Sequence, residues 1–147
     1  MEIEKNQIAK KLSDLMTLFV RKLMRPVGQL TRNITSPLHM NVITILSEKE
    51  MYTMTELSNE LLISKQQMIP IIDKLVDSGF VKRERDNVDR RFKRISITPV
   101  GLNFLDNINN EVISIMKTKI EYLDEDDLFS LHRASDDLYR IISKIHL

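Results

Sequence analysis

Apolar residues recur along this chain with two different periods, and the switch between them divides it. From Asn6 to Met24, residues Ile8, Leu12, Leu15, Phe19 and Leu23 return every three or four positions, which predicts a helix, and Met16 and Val20 widen its apolar face. Arg25-Pro26 predicts an end or a kink, with Val27 to Arg32 continuing at an angle. Ser36-Pro37 reads as a cap followed by a first-turn proline, and Leu38, Val42, Ile45 and Leu46 form the buried side of that helix. Thr53 with Glu56, and Ser64 with Gln67, are two capping-box patterns, each opening a short helix. Leu57 and Leu61 give the first of these its stripe; Ile69, Ile72, Leu75 and Val76 give the second, and Ser78-Gly79 supplies the stop. The period then drops to two. Phe80-Val81 and Lys82-Arg83-Glu84-Arg85 predict one strand, Arg94 to Thr98 a second, and Met51-Tyr52-Thr53 a short third. Beyond Thr98-Pro99 the helical period returns. Leu102, Leu105, Ile108, Val112, Ile115 and Ile120 predict a helix to about Glu121, roughly 30 Å long. Asp124 then caps a last helix carrying Leu128, Leu131, Leu138, Ile142 and Ile145 at coiled-coil-like spacing.

Two short helices joined through Leu62-Ile63-Ser64 are the pattern of a helix-turn-helix. At about 100° per residue, Gln66, Gln67, Pro70 and Lys74 point away from the predicted apolar stripe, with Ile71 at its edge. Near its start this outer face is uncharged apart from Lys65, and glutamine amides both donate and accept, as an adenine edge requires. A plain solvated face is the other reading of the helix alone. Charge alters the choice. Lys82 to Arg94 holds seven basic and three acidic residues, a local +4 in a chain whose net charge is +1. A basic hairpin directly after a helix-turn-helix can lie along phosphates and reach a minor groove.

Asp89-Arg90-Arg91 followed by Lys93-Arg94-Ile95-Ser96-Ile97-Thr98-Pro99-Val100-Gly101 resembles the wing signature of the MarR family of bacterial winged helix-turn-helix transcriptional regulators. The resemblance extends to Thr55-Glu56-Leu57, Ile63-Ser64-Lys65 and Leu75 to Val81, and in helix order to nearly the whole chain. It implies a mainly α fold with a small antiparallel β-wing, in a single domain of residues 1–147. Residues 36–98 would be the winged helix-turn-helix; 1–35 and 99–147 would be dimerisation helices, a role that the surplus apolar surface also favours. It implies a homodimer on double-stranded DNA. Ser64, Gln66, Gln67, Pro70, Ile71 and Lys74 would face the major groove, while Lys65 and the Ser64 end of the helix hold phosphate. Arg91 would enter the minor groove, oriented by Asp89, while Arg90, Lys93 and Arg94 contact backbone. The family often binds small anionic aromatics, so such an effector is expected, with no pocket residues assigned. Pro70 departs from the pattern: a proline six residues past the cap predicts a kink or a distorted first turn.

Composition narrows the rest. A chain of 147 residues, 29% charged and 42% apolar, suits one globular domain. It has no apolar run near membrane-spanning length and no signal-peptide core at Met1 to Lys5, which predicts a cytoplasmic protein. Zero cysteines exclude disulfides and thiol sensing within the chain. His39 reads as a surface histidine or as a contact to that effector; His132 and His146 lack a metal spacing, and no metal or other cofactor is expected. There is no Gly-rich phosphate loop and no His-carboxylate cluster at catalytic spacing, so an enzyme is not expected. The remaining alternative is a winged helix used as a protein-protein interaction module.

Overall fold

A computed structural model describes residues 2–31, 36–85 and 93–145. Contacts divide the chain into two compact units, Met1–Val112 and Ile113–Leu147. The first unit begins with α1 (Glu2–Phe19), a π-helical turn (Val20–Met24) and α2 (Arg25–Thr31). The helical path therefore runs on past Arg25-Pro26, where the sequence pattern placed an end or a kink. The wide turn stands just before the proline, which withdraws one amide donor from the helical ladder.

Next come α3 (Pro37–Leu46), β1 (Tyr52–Thr53), α4 (Met54–Glu60), α5 (Lys65–Asp77), β2 (Val81–Arg85), β3 (Lys93–Ile97) and α6 (Pro99–Ile120). The three strands form one antiparallel sheet in the order β1-β3-β2. Both capping boxes are present: Thr53 and Glu56 open α4, and Ser64 and Gln67 open α5. The α4 end is a Schellman motif, with Ile63 N–H donating to the Ser58 carbonyl at 3.0 Å and Leu62 N–H to that of Asn59 at 3.2 Å. Leu62 accordingly sits at φ 53, a left-handed conformation that suits glycine, while its side chain is 82% exposed.

One core gathers these elements. Val42, Ile43 and Leu46 of α3 meet Tyr52, Leu57, Val81, Ile95, Leu105 and four residues of α5. Those four are Met68, Ile71, Ile72 and Leu75, spaced as one helical stripe. The expected stripe began at Ile69, which instead is 46% exposed. The helix is thus turned by about one residue relative to the sequence reading, because Met68 is also apolar and either phase yields a continuous stripe. On α6, Gly101, Leu105 and Ile108 are the buried residues, whereas Leu102, expected on that face, is 41% exposed. Thr98 caps α6 by accepting from Gly101 N–H at 3.0 Å. A Cβ at position 101 would overlap the Phe80 carbonyl oxygen and stand 2.9 Å from Ile97 Cγ1, so only glycine permits this approach.

The second unit holds the end of α6 and α7 (Glu125–Ile142), whose N-cap Asp124 accepts from Asp127 N–H at 2.8 Å. No residue of α7 is buried, although it is strongly amphipathic. Among the described residues, no helix is long and apolar enough to cross a membrane.

Candidate nucleic-acid interface

The site is built on α5 and the β2-β3 ribbon that follows it. Ser64 is extended at φ −70 and ψ 155, and its hydroxyl accepts from Gln67 N–H at 3.2 Å. Gln67 Oε1 in return accepts from Ser64 N–H at 3.0 Å and lies 3.1 Å from Ser64 Oγ. The first turn of α5 is therefore regular, and the helix continues unbroken through Pro70 to Asp77. The distorted first turn expected from Pro70 does not occur. The five preceding helical residues and the packed stripe hold the backbone, and the one hydrogen bond lost at the proline lies on an exposed side.

Lys65, Gln66, Gln67, Pro70 and Lys74 are all exposed. Ile71 is not: at 8% exposure it belongs to the core, so the expectation that it faces a groove is corrected. Its place on the accessible flank is taken by Ile69. Lys74 also acts inward. Burial first, and the Lys74 charge second, push the His39 imidazole below its usual 6.5, so His39 is neutral at pH 7. The Ser36 hydroxyl is hydrogen-bonded to Nδ1 of that ring and also accepts from His39 N–H at 3.3 Å, capping α3.

In the ribbon, Val81 pairs with Ile97, Arg83 with Ile95 and Arg85 with Lys93, all on one face. Val81 and Ile95 anchor that face in the core. Arg83 reaches α5, where its guanidinium contacts the Asp73 carboxylate at 2.5 Å. Asp73 would otherwise add negative charge beside the amide-bearing face; the pair neutralises it and ties ribbon to helix. Arg85 and Lys93 then face each other directly, two cations across one rung. Like charges opposite one another disfavour a sheet, so this arrangement costs the free protein stability and suits a polyanion. On the other face Glu84 stands opposite Arg94 and also takes Lys82 at 3.0 Å. Arg85 was not singled out by the sequence reading, because its pairing depends on a register that the sequence does not fix. Asp89, Arg90 and Arg91 lie outside the described residues. Among the described residues, no group of His, Cys, Asp or Glu could hold a metal ion.

A three-helix core, α3 to α5, with a cationic antiparallel ribbon behind α5 defines a winged helix-turn-helix. Residues 35–93 match the MarR family model. The chain is 32% identical over 94 residues to the HTH-type transcriptional regulator PrsX of Escherichia coli, a match covering 61% of this chain and 57% of that protein. It thus spans little more than half the length of that curated relative. Its fold is similar to that of a MarR family protein from Bacillus stearothermophilus, with TM-score 0.76, 18% identity and coverage of 95% and 98% of the two chains. It is likewise similar to Streptococcus pneumoniae FabT, solved in complex with DNA, with TM-score 0.66, 17% identity and coverage of 95% and 99%. Residues 35–93 are thus similar to the MarR family, and the fold of the whole chain is similar to that of a solved MarR family protein.

Proposed function

We propose that this chain is a sequence-specific DNA-binding transcription regulator, acting as a homodimeric repressor on a pseudo-palindromic operator and released by a small-molecule ligand. The observation that carries the reading is the pairing of an amide-bearing, capped helix with a ribbon whose end sets Arg85 against Lys93. Amides and small polar groups suit base edges; cations on a strand suit phosphates. The solved FabT relative is itself described as bound to DNA.

In this mechanism α5 enters the major groove and the ribbon follows the backbone. Lys65, Lys93 and Arg94 contact phosphates. Arg91, directed by Asp89, reaches the minor groove, with Arg90 beside it on the backbone. The dimer reading rests on apolar surface that the chain leaves open. Ile8 and Met16 on α1, Val20 in the π-helical turn, and Phe129, Ile142 and Ile145 towards the other end, are each about half exposed or more. Two copies related by a two-fold axis would place two α5 helices about 34 Å apart, one turn of DNA. An effector that binds one spacing of those helices better than the other would change affinity by population shift alone.

Salt titration of duplex binding tests the reading. The logarithm of the association constant should fall with the logarithm of salt by about 0.9 per phosphate contact, and Arg91→Ala should lower affinity more than tenfold while the dimer persists. Absence of binding to any duplex at low salt, or a flat salt response, points instead to a protein-protein module.

A further inference from the structure

The outward face of α5 carries a chemical bias that narrows the DNA it can read, an inference that rests on the DNA-binding role above. Three polar groups of the helix are already engaged. Ser64 and Gln67 are bonded to each other in the cap, with the Gln67 carbonyl oxygen accepting from Ser64 N–H. Asp73 is held by Arg83 at 2.5 Å. Beside Lys65, assigned above to phosphate, the N-terminal half presents the amide of Gln66, the aliphatic flank of Ile69 at 46% exposure, and the ring of Pro70, which is exposed as well. The helix contains no arginine.

Base edges differ in what they ask. Guanine offers two acceptors in the major groove and is met by a double donor, above all arginine. Adenine offers an acceptor beside a donor, which a free amide matches, and thymine offers a methyl group, which an aliphatic side chain matches. The N-terminal residues of a recognition helix are the ones that reach the bases. Lys74 is two turns further on, beside His39. We propose that α5 reads A·T pairs: Gln66 takes the N6 and N7 edge of adenine, and Ile69 with Pro70 packs on thymine methyls. Gln67 supports this readout by fixing the first turn and is not itself the adenine reader.

The experiment uses the full chain and a pool of random duplexes selected at fixed salt. Half-sites should emerge with A·T pairs at the steps beneath α5. Replacing thymine by uracil there removes only the methyl and should weaken binding about fourfold per methyl contacted. Ile69→Ala should lose that sensitivity while its melting temperature stays close to that of the parent, as expected for a half-exposed side chain. Gln66→Ala should likewise lose sensitivity to 7-deazaadenine, which lacks the N7 acceptor. Selected half-sites with G·C at those steps, equal affinity for thymine and uracil duplexes, or an Ile69→Ala variant that keeps the full uracil penalty would each overturn the assignment. If no duplex is bound at low salt, it is the DNA-binding role itself that fails.

Discussion

At the scale of single residues, two positions carry costs or gains that can be measured. Leu62 holds a left-handed backbone with an 82% exposed side chain, so its isobutyl group contributes little burial in return for the strain. Leu62→Gly should stabilise the protein, since a non-glycine residue in that region costs about 1–2 kcal/mol and the extra freedom of unfolded glycine offsets up to about 1. A rise in the denaturant midpoint checks this. Glu56 closes the α4 capping box, accepting from Thr53 N–H at 2.6 Å and from Lys49 Nζ at 2.8 Å. The Lys49 ammonium first, and the Thr53 amide second, hold its carboxyl at about 2, well below its usual 4.5. A depressed carboxylate contributes stability that is present above its unfolded value and lost as pH falls towards the folded one. Glu56→Ala should therefore cost about 1 kcal/mol at pH 7, and the difference should shrink between pH 4.5 and about 2. Thermal melts of both proteins across that window give the answer.

Between elements, the contact that ties α5 to β2 is Arg83 with Asp73. Both groups are partly exposed, at 27% and 49%, so the pair should be worth less than about 1 kcal/mol and be sensitive to screening. Asp73→Asn should lower stability modestly at low salt, and the deficit should vanish near 1 M salt, as followed by denaturant unfolding. The same scale shows where sequence patterns stop. Helix α5 was legible in its two ends, since caps are local hydrogen bonds between residues three apart. Its rotation was not. Met68 and Ile69 are both apolar, and only packing against α3 and α4 decides which of them is buried. The outward-facing set changes with that rotation, losing Ile71 and gaining Ile69.

Among the described residues, one core is closed and much apolar surface lies outside it. Helix α7 has no buried residue, and α1 with the π-helical turn leaves Ile8, Met16 and Val20 more than half exposed. A helix so patterned gains most of its stability from a partner surface. The melting temperature should therefore rise with protein concentration, as association linkage requires. Ile142→Glu, at a position 51% exposed in the single chain, should abolish that dependence and give a monomer in sedimentation. A concentration-independent melting temperature in the parent protein would remove the dimer from the account.

The sequence alone determined which segments are helix and which are strand, because hydrophobic period, capping pairs and the Gly79 turn act over a few residues. It also placed positive charge between Lys82 and Arg94, since charge is a count. Only the tertiary structure decided the phase of α5, the match of Arg85 to Lys93, and the tie of Arg83 to Asp73. Each of these depends on residues distant in the chain meeting at a fixed angle or register, and a periodic pattern leaves that angle and that register free.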